Sequence, residues 1–461
     1  MQFKLQLVAH ADNGQADAVI DIAVFDKACD RIEQLGLTLA EAKALLQAIQ
    51  QTLLEQQATT FLRSHAACPA CGKQLGSKGH HTITYRTLFG NAKLVSPRFR
   101  TCRCQPHAQA SFSPLAALFA ERTAPELQFM ETKWASLVSY GLTVKALQDF
   151  LPVDAKLNAT TVRNHTLQVG QRCEAALGEE PVGLSVDAPV ASEQLLTSQD
   201  PITVGIDGGY LRHGNTKQQR FEVMVGKAVP PEQAAKCFGL VQTYDSKPKR
   251  RLFDLLQSQG IEPQQALCFM SDGEASVRQL QAHLHPRSDH LLDWFHLTMR
   301  ITVLGQFVQG LMKLDPELGS KLEREVERTK WKLWHGKATA AREALATIEK
   351  LMGTFEPSYP KFNALAKHVR EFQRYLERNH HLIINYSARW LAGQVISTAF
   401  VESLVNSLLD KRFDKKQQMQ WTPRGAHLLL QMRTKVLNGE LGASFKAWYP
   451  DLELQEHCPA V

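Results

Sequence analysis

Apolar residues recur at helical spacing over most of this chain and at strand spacing in two stretches. Residues 1–60 read as helical, chiefly the run from Thr38 to Leu62, where Leu45, Leu46, Ile49 and Leu53 share one face. From His81 to Cys102, HTITYRTLFGNAKLVSPRFRTC alternates like a hairpin, with Gly90-Asn91 as its turn. Pro125 to Tyr140 sets Leu127, Met130, Trp134, Leu137 and Val138 on one helical face, and Gly141 ends it. Thr143 then caps a short helix, Val144 to Phe150, which stops before Pro152. Asn158 caps a longer helix from Ala159 to about Leu177. Its Val162, Val169 and Cys173 face inward, and its Arg163, Asn164, Gln168 and Arg172 face out.

From about residue 183 the period shortens. PITVGIDGGYLR, FEVMVGKAV and CFGLVQTY read as three strands, and the basic run Ser246 to Arg251 opens a helix. QALCFMSDGEAS returns to a strand, and HLLDWFHL leads into helical sequence to about residue 390. Strand-strand-strand-helix-strand-helix-strand is an α/β layout around one mixed sheet. The expected divisions are 1–60, helical; 61–118, two cysteine pairs; 119–182, helical; 183–301, the first part of the sheet domain; 302–394, helical; 395–440, a return to the sheet domain; and 441–461, a tail.

Composition adjusts this picture only modestly. With 461 residues, 44% hydrophobic and 21% charged, the chain has ample material for cores. No apolar run approaches the ~18 residues of a membrane helix, and the opening MQFKLQLVAHADNGQ lacks the apolar core of a secretion signal. A cytoplasmic protein without a membrane partner is the expectation. The net charge of +7 permits an anionic partner such as nucleic acid without demanding one.

Five of nine cysteines (Cys29, Cys173, Cys237, Cys268, Cys458) are scattered singly and read as reduced thiols. The others form Cys68-Pro-Ala-Cys71 and Cys102-Arg-Cys104, two close pairs around a strand-forming stretch. That is the pattern of a structural, four-thiolate Zn²⁺ site, with Pro69 stiffening the first knuckle and Gly72 letting it turn. His107 is placed to replace one thiolate. A Cys-x-x-Cys redox pair is the competing reading, but it leaves the second doublet without a purpose.

The three helices of 119–182 suit a helix-turn-helix whose last helix enters a major groove, although its second loop is longer than usual; a small helical bundle is the alternative. Asp207 and Asp272 each follow an apolar strand and precede a glycine. Two carboxylates at neighbouring strand ends can share hard divalent cations, and a pair of Mg²⁺ ions suits in-line phosphoryl displacement. For either alone, an Asp-Gly turn is the bland reading. Glu402 is the best third ligand, on a helix capped at Ser397 with Val401, Val405 and Leu408 packing down and Asn406 four residues on; Glu371 and Glu377 point to solvent. Asp293 and His296 either support that site or form a buried hydrogen-bonded pair at the sheet edge.

Asp207-Gly-Gly, Ser-Asp272-Gly, Asp293-Trp-Phe-His296 and Val-Glu402 with Asn406 resemble bacterial insertion-sequence transposases, the Mutator-like DDE superfamily and most closely its ISKra-type group. The block KKQQMQWTPRGAHLLLQMRTKVLN, Lys415 to Asn438, is similar to that group's tryptophan-and-glycine signature. The resemblance covers about residues 200–440 well. It implies an RNase H-like core with Asp207, Asp272 and Glu402 as its metal-binding triad, although Ile-Ser-Thr-Ala-Phe precedes Glu402 where many relatives carry Gly-Ser-Gly. Some 130 residues separate Asp272 from Glu402, whereas a strand, a helix and their connections need about 25–30, so 302–394 is expected to be a helical insertion.

The implied partner is double-stranded DNA, both terminal repeats and target, with the protein a homo-oligomer on it. The expected DNA contacts are Arg163, Asn164, Gln168, Arg172, Lys249, Arg250, Lys330, Lys332, Lys415, Lys416 and Arg424. In the insertion, Lys330 and Lys332 interleave with Trp331 and Trp334, and solvated helix faces over core tryptophans are the alternative there. Two rivals remain for the whole chain: an inactive, DNA-binding descendant of a transposase, and a glycoside hydrolase using two carboxylates.

Overall fold

The computed structural model describes residues 1–10, 18–28, 30–105, 110–179, 201–214, 219–230, 233–260, 267–284, 288–353, 359–413 and 420–454. The protein is mixed α/β and divides into two compact units, one from Met1–Arg172 with the segment beginning at Gly439, the other Cys173–Asn438. His107, Lys415, Lys416, Cys29 and Cys458 lie outside the described residues.

The N-terminal unit opens with an antiparallel hairpin, β1 (Gln2–Ala9) and β2 (Ala18–Asp26), which corrects the helical reading of 1–60. Phe3, Leu5 and Leu7 alternate at the strand period and register against Phe25, Ala23 and Ile20. Helix α1 (Leu39–Ser64) does follow, and Thr38 with Glu41 closes a capping box at its start. A three-stranded sheet comes next, β3 (Ser77–Thr87), β4 (Gly90–Arg100) and β5 (Ser111–Phe112), in that order. Thr87 pairs with Gly90, so the hairpin turn is Leu88-Phe89 rather than Gly90-Asn91. Ala58 of α1, Ile83, Leu94 and Leu115 of α2 (Pro114–Leu118) form the core beneath this sheet.

Helices α3 (Pro125–Leu137), α4 (Tyr140–Phe150) and α5 (Ala159–Ala176) follow. Gly141 does not end a helix: Ser139 caps α4 by accepting from the backbone N–H of Leu142, and Gly141 lies inside it. Asn158 Oδ1 accepts from the N–H groups of Thr160 and Thr161, 3.1 Å each, at the start of α5.

The other unit is built on a five-stranded mixed sheet: β6 (Ile202–Arg212), β7 (Arg220–Val229), β8 (Lys236–Val241), β9 (Leu267–Ser271) and β10 (Asp289–Leu292). Their spatial order is β10-β9-β6-β7-β8, with β6, β7 and β8 antiparallel in sequence and β9 and β10 parallel to β6. Helices α6 (Pro248–Ser258) and α7 (Ala275–Leu284) flank β9 in sequence. Val204, Ile206, Met224, Leu240, Leu252, Phe269 and Val277 belong to one buried cluster.

A helical stretch follows: α8 (Trp294–Met312), α9 (Pro316–Trp334), α10 (Ala338–Gly353), α11 (Phe362–Asn379) and α12 (Tyr386–Leu391). It has its own core, among them Leu304, Leu322, Leu345, Val369 and Phe372. Helix α13 (Ala399–Val405) runs into a π-helical turn, Asn406–Asp410, and α14 (Pro423–Leu437) packs on β8. The chain then returns to the N-terminal unit as α15 (Leu441–Trp448), so residues 441–448 are not a tail. Phe445 is fully buried there against Phe129, ring centroids 5.4 Å apart.

Candidate functional site

The two halves of the cysteine module meet. Gly72, at φ +70°, lets the first knuckle turn back, so that its N–H donates to Cys68 O at 2.9 Å and Cys68 N–H donates to Lys73 O. The Sγ–Sγ separations Cys68–Cys104, Cys71–Cys102 and Cys71–Cys104 are each 3.5 Å. A tetrahedron with bonds of about 2.3 Å has edges of about 3.8 Å, so the four sulfurs fit Zn²⁺. Their electrostatics point the same way. Backbone N–H groups of Ala70 and Cys71 bring the Cys68 thiol down to about 7. Cys104, surrounded by Cys102, Cys68 and Cys71, is pushed up to about 12, since four thiolates this close resist ionising together without a cation.

In the sheet unit, β6 and β9 pair in parallel through Gly205 and Met270, and β9 and β10 through Ser271 and Leu292. Continuing both registers brings Asp207, Asp272 and Asp293 to one level across three adjacent strands. Asp207 does not end its strand, as the sequence suggests; β6 continues to Arg212 against β7, and what ends at this level is β9. Burial raises the Asp207 carboxyl, and Asp272 and Asp293 raise it further, while His296 opposes them. The neighbours Glu222 and Glu274 add to the charge. Glu274 is pushed up to about 7 by burial and by Asp272 and Glu222. Neither was picked out from the sequence, although Ser-Asp272-Gly-Glu274 carries one in plain view.

Asp293 and His296 do different jobs. Asp293 is fully buried and caps α8 by accepting from the N–H of Phe295 at 2.9 Å. It also accepts from the N–H of Thr398 at 3.0 Å and from the Thr398 hydroxyl. Thr398, not Ser397, is therefore the residue at the N-cap of α13, and its hydroxyl is committed to Asp293. His296 Nε2 lies 3.8 Å from Asp207 and 3.7 Å from Asp293.

Helix α13 crosses β6 and β7. A Cβ on Gly205 would approach Val401 to 2.4 Å, and one on Gly209 would approach Leu409 to 2.5 Å, so these glycines let the helix lie flat on the strand. Glu402 is exposed in the first turn of α13. Among the described residues, the groups of His, Cys, Asp or Glu whose ligand atoms gather within 4.8 Å are the four cysteines and Glu174–Asp245–His427; the expected triad is not one of them. Arg251 occupies the second group, donating to Glu174 and to Asp245 at 2.9 Å each, which makes it a buried ion-pair network. The signature block places Trp421 in the interior, where its Nε1–H donates to Phe413 O, and Thr422 as the cap of α14.

The expected DNA contacts divide. Arg163, Asn164 and Gln168 form an exposed face on α5. Arg172 does not belong to it, because its guanidinium stacks 4.2 Å from the Trp448 ring and donates to Tyr449 Oη. Arg250 pairs with Asp254 and Lys330 with Glu327. Lys249 and Lys332 are half-buried and Arg424 is exposed. Glu371 pairs with Lys367 at the surface. Among the described residues no helix is long and apolar enough to cross a membrane. No family model matches this chain, and no curated protein does.

Proposed function

We propose that the chain is a DDE transposase, which binds the ends of its insertion sequence and carries out divalent-metal-dependent cleavage and strand transfer on DNA. The observation that carries this reading is the row of Asp207, Asp272 and Asp293 at one level of the sheet, beneath the helix that bears Glu402. The strand order supports an RNase H-like core: numbered from β6, it is 3-2-1-4-5 with the first three strands antiparallel. On that reading α8 to α12 are largely a helical insertion, and α3 to α5 present Arg163, Asn164 and Gln168 to DNA.

Asp207 and Asp272 fit Mg²⁺. Both are carboxylates, they repel one another, and a cation between them would offset the burial and repulsion that raise Asp207. Bound Mg²⁺ would neutralise charge at the transferring phosphate and acidify the attacking water. The protein's own residues position: His296 faces Asp207, and Asp293 ties the start of α13 to the sheet. Glu402 is the third ligand of this proposal, and it must turn inward from its exposed position to serve.

The DNA flanking the reading frame supplies the test. Paired inverted repeats there, incubated with protein and Mg²⁺, should be cut and joined to a target. Asp207→Asn or Asp272→Asn should each lower both steps by about 10³ or more, without additivity, while end binding persists. A wild type that binds these ends but never cuts them in Mg²⁺ or Mn²⁺ would instead be the inactive descendant.

A further inference from the structure

We infer that Tyr375 is a positioning residue for the divalent-metal site: its hydroxyl fixes the main chain at Asp272, and through it the helical stretch sets metal affinity at the sheet. The inference rests on the proposed reading of Asp272 as a metal ligand. Strand β9 ends at Ser271, one residue before Asp272. Past the end of a strand, the turn and whatever braces it decide where a carboxylate points.

Part of the bracing is local. Ser271 Oγ accepts from the N–H of Gly273 at 3.1 Å and pairs with His290 Nε2 at 2.8 Å. Asp272 Oδ1 accepts from the N–H of Glu274 at 3.1 Å. The rest comes from α11, 103 residues further along the chain, where the Tyr375 hydroxyl donates to the carbonyl oxygen of Asp272 at 2.8 Å. One turn on, buried Asn379 packs against Gly273, whose φ of +91° suits glycine; a Cβ there would lie 2.6 Å from Asn379 Oδ1. Asn379 Nδ2 donates to Tyr375 O at 3.1 Å, which joins the two contacts into one brace. Arg300 of α8 lies over the Tyr375 ring, its Cζ 4.1 Å from the centroid. Tyr386 of α12 supplies a comparison. Its fully buried hydroxyl donates to Leu292 O at 2.7 Å, but the strand it holds leads to Asp293, whose carboxylate is committed to Thr398 and the cap of α8.

Electron paramagnetic resonance of free Mn²⁺, titrated into the full, zinc-loaded chain, tests the inference, with Asp272→Asn as the baseline. Tyr375→Phe keeps the ring beside Arg300 and removes only the hydroxyl. It should raise the Kd for Mn²⁺ by about tenfold, the low end of what a group that orients a metal ligand contributes. The metal concentration for half-maximal strand transfer should rise by the same factor, and the rate at saturating metal should return to near that of the wild type. Tyr386→Phe loses a buried hydroxyl of the same kind and should leave the Kd almost unchanged. A wild-type Kd in Tyr375→Phe, or equal weakening by both tyrosine variants, would overturn the inference and leave the metal site standing. A wild type that takes up Mn²⁺ no better than Asp272→Asn would overturn the metal reading itself, and the inference with it.

Discussion

Single atoms set the chemistry of both candidate metal centres. At the cysteine cluster, three Sγ separations of 3.5 Å and a Cys104 thiol pushed up to about 12 describe sulfurs spaced to share one cation. Purified protein should therefore carry one zinc per chain. Cys68→Ser should release it and lower the melting temperature of the N-terminal unit, because metal binding and local folding are coupled. Elemental analysis and calorimetry check this, and a folded wild type without zinc would sink it. At Asp207 the tension has the opposite consequence for stability. Burial and the neighbouring aspartates raise its carboxyl, so its charge strains the metal-free fold. Asp207→Asn should accordingly abolish strand transfer yet raise the melting temperature of the metal-free protein by about 2–4 °C, the shift that ~1 kcal/mol produces in a unit of this size.

At the level of elements, two junctions hold the sheet unit's pieces in register. The first is Asp293, which receives the N–H and hydroxyl of Thr398 and so fixes where α13 begins. Asp293→Ala should speed amide exchange over residues 398–405 and reduce strand transfer with little change in DNA affinity. Equal exchange in both proteins would return Asp293 to a cap of α8 alone. The second is Arg251, which joins Glu174, Asp245 and Gln431 of α14. Arg251→Met would leave two carboxylates without their cation and should cost about 3–5 kcal/mol, read by denaturant unfolding. Burial raises the Glu174 carboxyl, but His427 and Arg251 outweigh it and bring it from 4.5 to about 2. Because the folded value is depressed, this stabilisation is present above pH 4.5 and lost as pH falls towards 2. The melting-temperature gap between wild type and Glu174→Gln should close over that window; a constant gap would mean that Glu174 acts by packing.

At the scale of the molecule, the chain leaves the N-terminal unit at Arg172 and returns to it at Gly439. Phe445 is then fully buried against Phe129, some 316 residues earlier. Phe445→Ala should destabilise the N-terminal unit by about 3–5 kcal/mol and leave the sheet unit's unfolding transition in place. Two calorimetric transitions of which only one moves would support this; a shift of both would mean that the units unfold together.

Local pattern determined much of this protein. The order of strands and helices from Ile202 to α8, the caps at Thr38 and Asn158, and the pairing of two cysteine knuckles all depend on neighbours in sequence, where period and turn chemistry act. Even so, the hairpin at Gln2–Asp26 carries the strand period in Phe3, Leu5 and Leu7, a pattern too short to stand out beside the longer helical run from Thr38. Tertiary structure alone decided the rest. It brought Asp207 level with Asp272 and Asp293, because strand register depends on which strands become neighbours. It turned Arg172 away from the α5 surface onto Trp448, and it left Glu402 exposed beside a carboxylate row that its sequence position cannot locate. Contacts between residues hundreds of positions apart follow from how elements pack, and no periodicity within one element encodes its partner.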